Sequence, residues 1–166
     1  MNLVTALALV IGALGAVATF LVLGPLGPIG LSIWALFIGW GSFFSAGGGE
    51  GGLKNAIVGA IWGSLMATLA LVLLPTVADM GVLGTAIVVG ATVALMILGA
   101  HVPLLSAIPA AVYGYASTAA FALMKTGAVA TGTDIASSPL LNVVASMALG
   151  AIFGYVSEKI AKSLAG

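Results

Sequence analysis

Long apolar segments, separated by short runs of glycine and proline, dominate the sequence. The first segment, Leu3 to Leu23, has about the 20 residues that a helix needs to cross ~30 Å of hydrocarbon. Glycine and proline interrupt helices, so each run marks a boundary between two segments. The pattern predicts an all-α fold, in which residues 1–166 form a single transmembrane domain, a bundle of six helices. The predicted spans cover residues 3–23, 29–46, 53–74, 82–98, 104–124 and 140–160.

The ends of the segments add detail to this prediction. No Lys or Arg precedes Leu3, as a secretory signal peptide would require, so we expect the first segment to be retained as a span. The second and fourth spans are short, which is compatible with steep packing, a partly re-entrant path or local thinning of the bilayer. Pro109 falls within the predicted fifth span, where it would remove a backbone donor and kink the helix.

Composition excludes several classes of protein. Hydrophobic residues make up 62% of the chain and charged residues 5%, and the mean hydropathy is +1.32. Too little polar surface remains to coat a water-soluble globule, so the lipid bilayer is the expected partner. The four cations are all lysines, too few for a basic stripe, and we expect no nucleic-acid partner. With no cysteine and one histidine, we expect neither a metal nor another cofactor.

The lysines also predict an orientation. Lys54, Lys159 and Lys162 fall on the side of the predicted bundle that holds the N-terminus, whereas Lys125 falls on the other side. Loops on the cytoplasmic side of a membrane protein carry an excess of Lys and Arg. We therefore expect a multi-pass protein of the inner membrane whose N- and C-termini are both cytoplasmic.

Small residues recur at helical spacing and suggest both close packing and an internal repeat. Pairs such as Gly59/Gly63 provide contact faces in lipid, and we expect a homo-oligomer. Residues 56–63 align with 107–114, which favours three helix pairs. Residues 59–63 also align with 150–154, which favours an inverted repeat of three plus three helices. The sequence leaves both schemes open.

The most distinctive stretch is aromatic and rich in glycine. It runs from Trp34 to Gly48 and is followed by Gly51-Gly52-Leu53-Lys54. Together with Leu105–Pro109 and Leu149–Tyr155, this stretch resembles the bacterial inner-membrane proteins grouped as DUF1097, a domain of unknown function. The resemblance covers nearly the whole chain. It implies a small polytopic protein of the bacterial inner membrane and assigns no reaction.

Neutral polar and aromatic residues within the spans are the candidates for a substrate path. Hydroxyl and amide groups suit an uncharged solute, and aromatic rings can shape a narrow passage. The alternative is that the hydroxyls join neighbouring helices and the rings pack or lie at the membrane interface. Ser106, Tyr113 and Ser117 would form one stripe down the fifth span. The candidate path residues are Trp40, Ser42, Phe43, Phe44, Trp62, Ser106, Tyr113, Ser117 and Asn142.

No ionisable residue lies clearly in the middle of a predicted span. Glu50 and Lys54 belong to the predicted loop at residues 47–52 and its edge, and His101 lies between the fourth and fifth spans. These three are candidates for a loop or mouth, although a solvated or capping role is the alternative for His101. No carboxylate lies in mid-span, which argues against a proton-coupled pump.

Catalysis has no support in the sequence. We find no Ser/His/Asp arrangement, cysteine nucleophile or paired carboxylates, and we expect no enzyme and no catalytic residue. The favoured function is a channel or facilitator for a small, mostly uncharged solute. The alternative is a structural or accessory subunit of a larger membrane complex that conducts nothing.

Overall fold

The protein folds entirely into helices and turns. The computed structural model describes residues 1–166 and contains no β-strand, which confirms the all-α prediction. Helices satisfy their backbone hydrogen bonds internally, as hydrocarbon requires. The α-helices are α1 (Leu3–Leu23), α2 (Ile33–Ser45), α3 (Gly49–Leu73), α4 (Gly81–Leu98), α5 (Ile108–Met124) and α6 (Pro139–Ala165).

Helices α3 and α4 form a hairpin within one continuous run of helical residues, Gly49–His101. In a straight helix Trp62 and Met96 would lie about 50 Å apart, at ~1.5 Å per residue. The indole Nε1 of Trp62 instead donates to Met96 O over 3.0 Å, because the chain turns back through a 3₁₀ segment, Leu74–Met80. This run, α1 and α6 are long and apolar enough to cross a membrane, whereas α2 and α5 are shorter.

Successive helices run in opposite directions between two ends of the bundle. At one end, here called the terminal end, Ala6 of α1 packs against Ala161 near the end of α6. At the same end the amide of Gly49, which begins α3, donates to Oε2 of Glu158 over 2.7 Å. At the other end, called the opposite end, the starts of α2 and α6 lie close together. There Asn142 Nδ2 donates to Gly30 O over 2.7 Å.

Glycines let two pairs of helices approach until their backbones touch. Helix α3 packs most extensively on α5, where a Cβ added to Gly63 would overlap Ala111 O. Helix α2 packs in the same way on α6, where a Cβ added to Gly150 would overlap Leu36 O. Close contact of this kind drives helix association in lipid. Helices α1 and α4 lie on the outside, against α6 and α3, and expose large apolar side chains.

Two local predictions are wrong. The glycine run 47–52 is not a loop throughout, because α3 begins at Gly49. The carboxylate of Glu158 accepts a hydrogen bond from the amide of Gly49 and complements the positive end of the helix dipole. Because the helix begins there, Glu50 and Lys54 lie on α3 and not in a loop. Pro109 does not kink α5. It occupies the first turn, where its missing N–H would have had no helical partner.

The ends of α2, α5 and α6 also differ from the prediction. Helix α2 begins only at Ile33, because Gly30 closes a preceding 3₁₀ turn in the left-handed region, at φ 78°. Ser106 precedes α5, so it does not continue the stripe formed by Tyr113 and Ser117 on that helix. Helix α6 continues five residues beyond the predicted span, to Ala165.

Candidate functional site

The groove between α2 and α5 holds three cavities, one in the middle and one towards each end of the bundle. The central cavity has a volume of about 360 Å³. On each helix its lining residues are spaced i, i+3 and i+4, which places them on one helical face. The lining residues are Ile38, Gly41 and Ser42 on α2 and Tyr113, Ala116 and Ser117 on α5.

Two serines form the buried part of the central cavity. Ser42 is 1% exposed and Ser117 is 2% exposed, whereas Ile38 and Tyr113 at the rim are both 37% exposed. The Oγ atom of Ser42 is buried and has no hydrogen-bond partner within the protein. A buried hydroxyl without a partner costs about 1–3 kcal/mol. Because Ser42 also lines the cavity, its hydroxyl is the candidate group to bond a molecule that enters.

The cavity at the terminal end is the largest of the three, and both polar and apolar groups line it. It has a volume of about 380 Å³ and lies between the end of α2, the start of α5 and Asn55 of α3. The Ser106 hydroxyl lines it and donates to Pro103 O over 2.8 Å. The other lining residues are Ser45, Ala46, Gly47, Ala107, Pro109 and Ala110.

The cavity at the opposite end is smaller, at about 160 Å³. It lies between the start of α2 and the end of α5, where Trp34, Phe121 and Met124 contribute large side chains. Gly30, Ser32 and Lys125 complete its lining. The line of cavities thus has its larger outer cavity at the terminal end and a smaller one with aromatic lining residues at the opposite end.

The groove is almost free of charge. Among the residues that line its three cavities only Lys125 is charged, and it lies at the opposite end. Hydroxyl and amide groups therefore set the chemistry of the groove. No group of three or more His, Cys, Asp and Glu residues lies close enough to hold a metal ion. That the protein needs no cofactor stays a prediction.

The structure brings four of the predicted path residues to the groove. Ser42, Tyr113 and Ser117 line the central cavity, and Ser106 lines the cavity at the terminal end. Ser106 thus belongs to the groove without belonging to helix α5.

The remaining path candidates lie outside the groove, and three of them already use their polar atoms within the protein. Trp40 Nε1 donates to Ser157 Oγ over 3.1 Å and Trp62 Nε1 to Met96 O. The Asn142 side chain accepts from Ser32 Oγ over 2.6 Å and donates to the carbonyls of Gly30 and Ile135. These bonds join helices and connecting turns.

The two phenylalanines and the mouth candidates also lie away from the central cavity. Phe43 is fully buried among α2, α3 and α6, and its ring meets the half-exposed ring of Phe44 edge to face. Glu50, Lys54 and His101 are exposed, the first two on α3 and His101 in a 3₁₀ turn before α5. A role for these residues at a mouth stays a prediction.

Sequence reasoning missed the small and apolar residues that shape the groove. Ile38, Gly41 and Ala116 line the central cavity, and Trp34 and Phe121 narrow the opposite end. A signal was available in the sequence, because residues one and four positions before a serine lie on the same face of the helix as that serine. These residues are Gly41 and Ile38 for Ser42, and Ala116 and Tyr113 for Ser117.

The fold and the groove define the class: an all-helical protein with apolar helices of the membrane-spanning type. The family model described as "Protein of unknown function (DUF1097)" matches residues 8–162, which is nearly the whole chain. The chain belongs to this family, and the resemblance found in the sequence is confirmed. No curated protein and no solved structure matches the chain.

Proposed function

We propose that the protein is a channel or facilitator that lets a small, uncharged solute cross the membrane along the groove between α2 and α5. The observation that carries this proposal is the line of three cavities between the two ends of the bundle. Helix α2, which runs beside all three, is only 13 residues long, or about 20 Å at ~1.5 Å per residue. The cavities extend past both ends of this helix, to Gly30 and to Gly47.

The proposal places six spans in the bacterial inner membrane. The hairpin supports two spans in the run Gly49–His101, because α3 and α4 have 25 and 18 residues. Lys54, Lys159 and Lys162 lie with both termini at the terminal end, and the positive-inside rule then makes that end cytoplasmic. A homo-oligomer and the absence of enzymatic activity stay predictions.

We also infer an inverted repeat, in which α1–α3 correspond to α4–α6. The helix packing supports it: α3 packs on α5 as α6 packs on α2, and α4 packs on α3 as α1 packs on α6. Two halves inserted in opposite directions are a common construction among transporters. Exchanging the two three-helix halves converts the contact of α3 with α5 into that of α6 with α2, and the contact of α4 with α3 into that of α1 with α6.

The glycine contacts support the same correspondence at the level of residues. A Cβ on Gly114 would overlap the backbone of Ala60, and a Cβ on Gly39 would overlap the backbone of Met147. Gly114 follows Gly39 by 75 positions and Met147 follows Ala60 by 87. One shift therefore relates α2 to α5, and the other relates α3 to α6.

A second pair of contacts obeys the same two shifts. A Cβ on Gly63 would overlap Ala111 O, and a Cβ on Gly150 would overlap Leu36 O. Gly150 follows Gly63 by 87 positions, and Ala111 follows Leu36 by 75. The agreement shows that the two helix crossings share one register, which favours the inverted repeat over three helix pairs.

The lining chemistry favours neutral solutes over ions. An ion that leaves water must be compensated by charges or by many oriented dipoles, at a cost of several kcal/mol otherwise. The central cavity offers the hydroxyls of Ser42, Ser117 and Tyr113 between apolar side chains. Hydroxyls donate and accept hydrogen bonds, so they can replace the water around a small polar molecule.

Plugging the groove tests the proposal. Gly41 lines the central cavity, and a Cβ added there would meet nothing within 4 Å, so Gly41→Trp can attach a bulky indole at the lining of the groove. Gly12 of α1 is equally open but lies outside the groove, and Gly12→Trp is the matched control. Stopped-flow light scattering on proteoliposomes measures the uptake of urea, acetamide and glycerol.

We expect the wild-type protein and Gly12→Trp to take up at least one solute faster than empty vesicles. Gly41→Trp should reduce that uptake to the rate of empty vesicles. Uptake by the wild-type protein equal to that of empty vesicles for all three solutes would overturn the proposal. A non-conducting accessory subunit would then be the function to pursue.

A further inference from the structure

The residues that line the central cavity form three pairs under the proposed repeat. Tyr113 follows Ile38 by 75 positions, Ala116 follows Gly41 by 75 and Ser117 follows Ser42 by 75. This is the shift that the glycine contacts assign to α2 and α5. The lining therefore maps onto itself when the two halves are exchanged, so the cavity lies on the two-fold axis that relates them.

The two outer cavities behave differently, because the repeat exchanges them. One lies between the end of α2 and the start of α5, and the other between the start of α2 and the end of α5. The two outer cavities differ in size, and equivalent positions in their linings hold different residues. Trp34 lines the smaller cavity at the opposite end, and Pro109, which follows Trp34 by 75 positions, lines the larger cavity at the terminal end. Of the three cavities, only the central one is lined by equivalent residues from both halves, so the repeat maps it onto itself.

We propose that the central cavity is a single solute-binding site for small neutral amides, urea among them, in which Ser42 and Ser117 make equivalent contacts from the two halves. This inference rests on the proposed function and adds the residues of the site and the class of solute. The unpartnered Oγ of Ser42, in a residue that is 1% exposed, is the independent sign of a ligand.

The chemistry of the cavity fits an amide. A urea or acetamide molecule carries N–H donors and a carbonyl acceptor, and a serine hydroxyl can accept the first or donate to the second. No charged side chain lines the cavity, so an ion would leave water without compensation. Gly41 and Ala116 leave room between the helices for a small molecule.

Single-cysteine labelling tests for the site independently of transport. The natural chain has no cysteine, so Ser42→Cys and Ser117→Cys each create one thiol while leaving the hydroxyl of the other half in place. A small thiol reagent labels the purified protein with and without urea or acetamide. Ser106→Cys, in the cavity at the terminal end, is the matched control.

We expect urea or acetamide to slow the labelling of Ser42→Cys and Ser117→Cys by similar factors, and to leave Ser106→Cys unchanged. In uptake assays Ser42→Ala and Ser117→Ala should each raise the half-saturating amide concentration roughly three- to tenfold, the effect of one lost hydrogen bond. Ser64→Ala should leave it unchanged, because that buried hydroxyl donates to Gly114 O and lines no cavity of the groove.

The outcomes separate this inference from the proposed function. If the wild-type protein conducts amides but neither substitution changes uptake, or only one of the two cysteines is protected, the two-fold site is wrong and the channel stands. If nothing is conducted and neither cysteine is protected, both are wrong. Protection of both cysteines without conduction would retain the site and overturn the channel.

Discussion

Adding one methyl group at Gly63 or at Gly150 should destabilise the bundle, and by similar amounts. In the structure a Cβ on Gly63 overlaps Ala111 O, and a Cβ on Gly150 overlaps Leu36 O. Both obstacles are backbone atoms of a neighbouring helix, which a change of rotamer cannot move. The alanine variants can fold only if α3 moves away from α5, or α6 from α2.

The expected cost follows from known effects of overpacking. Inserting a methylene or methyl group into a well-packed interior costs about 1–3 kcal/mol. Gly12→Ala and Gly90→Ala are matched controls, because a Cβ at either position would meet nothing within 4 Å. Alanine favours a helix over glycine by about 0.5–1 kcal/mol, so these controls should be unchanged or slightly more stable. The two classes should therefore differ by at least about 1 kcal/mol.

Unfolding in mixed micelles of increasing SDS content measures this difference through tryptophan fluorescence. Trp40 lies between α2 and α6, and Trp62 between α3 and α4, so the signal reports on helix separation. Gly63→Ala with the stability of Gly90→Ala would refute the backbone contact. A large loss at Gly63 with none at Gly150 would argue against equivalent interfaces and hence against the repeat.

Three further predictions concern single bonds and topology. Trp40→Phe removes the indole bond to Ser157 and should lower the free energy of unfolding by about 1 kcal/mol in the same SDS titration. Asn142→Ala leaves two carbonyls and the hydroxyl of Ser32 without their partner, and should cost about 1–3 kcal/mol or more. Alkaline phosphatase fused at either terminus should be inactive in cells, and active when fused after Lys125; activity at a terminus would contradict the proposed orientation.

The sequence predicted the helical elements well where apolar length decided them. Helices α1 and α4 match their predicted limits within a residue, since glycine marks both ends of α4 and glycine and proline follow the end of α1. The start of α3 was missed, because the acceptor for the amide of Gly49 is Glu158, which is 109 positions away. No local pattern reports such a distant cap. Pro109 was misread for a related reason: its effect depends on whether it lies in the first turn of a helix or in its interior.

The site was predictable only in part. Ser42 and Ser117 were recognised because a hydroxyl within an apolar segment needs an explanation. Asn142 was selected as another polar group within a span and Trp40 as an aromatic ring, yet their polar atoms bond to other parts of the protein. In lipid the two environments share one composition, since packed interiors and path linings both use small and hydroxyl-bearing residues. Hydropathy along a helix therefore cannot tell which face packs against another helix and which face lines a path.

The register of the proposed repeat is fixed by contacts between helices, because short sequence patterns are compatible with more than one register. The sequence aligns residues 59–63 with 150–154, a shift of 91 positions, whereas the glycine contacts give 87. The difference of four is about one helical turn, and residues four apart lie on the same face. The shift of 91 pairs two glycines and the shift of 87 pairs one, Gly63 with Gly150, but only the shift of 87 lets these two glycines meet equivalent carbonyls. The same contacts relate α2 to α5 by 75 positions and so pair Ser42 with Ser117, and the labelling of those two positions tests the repeat and the site together.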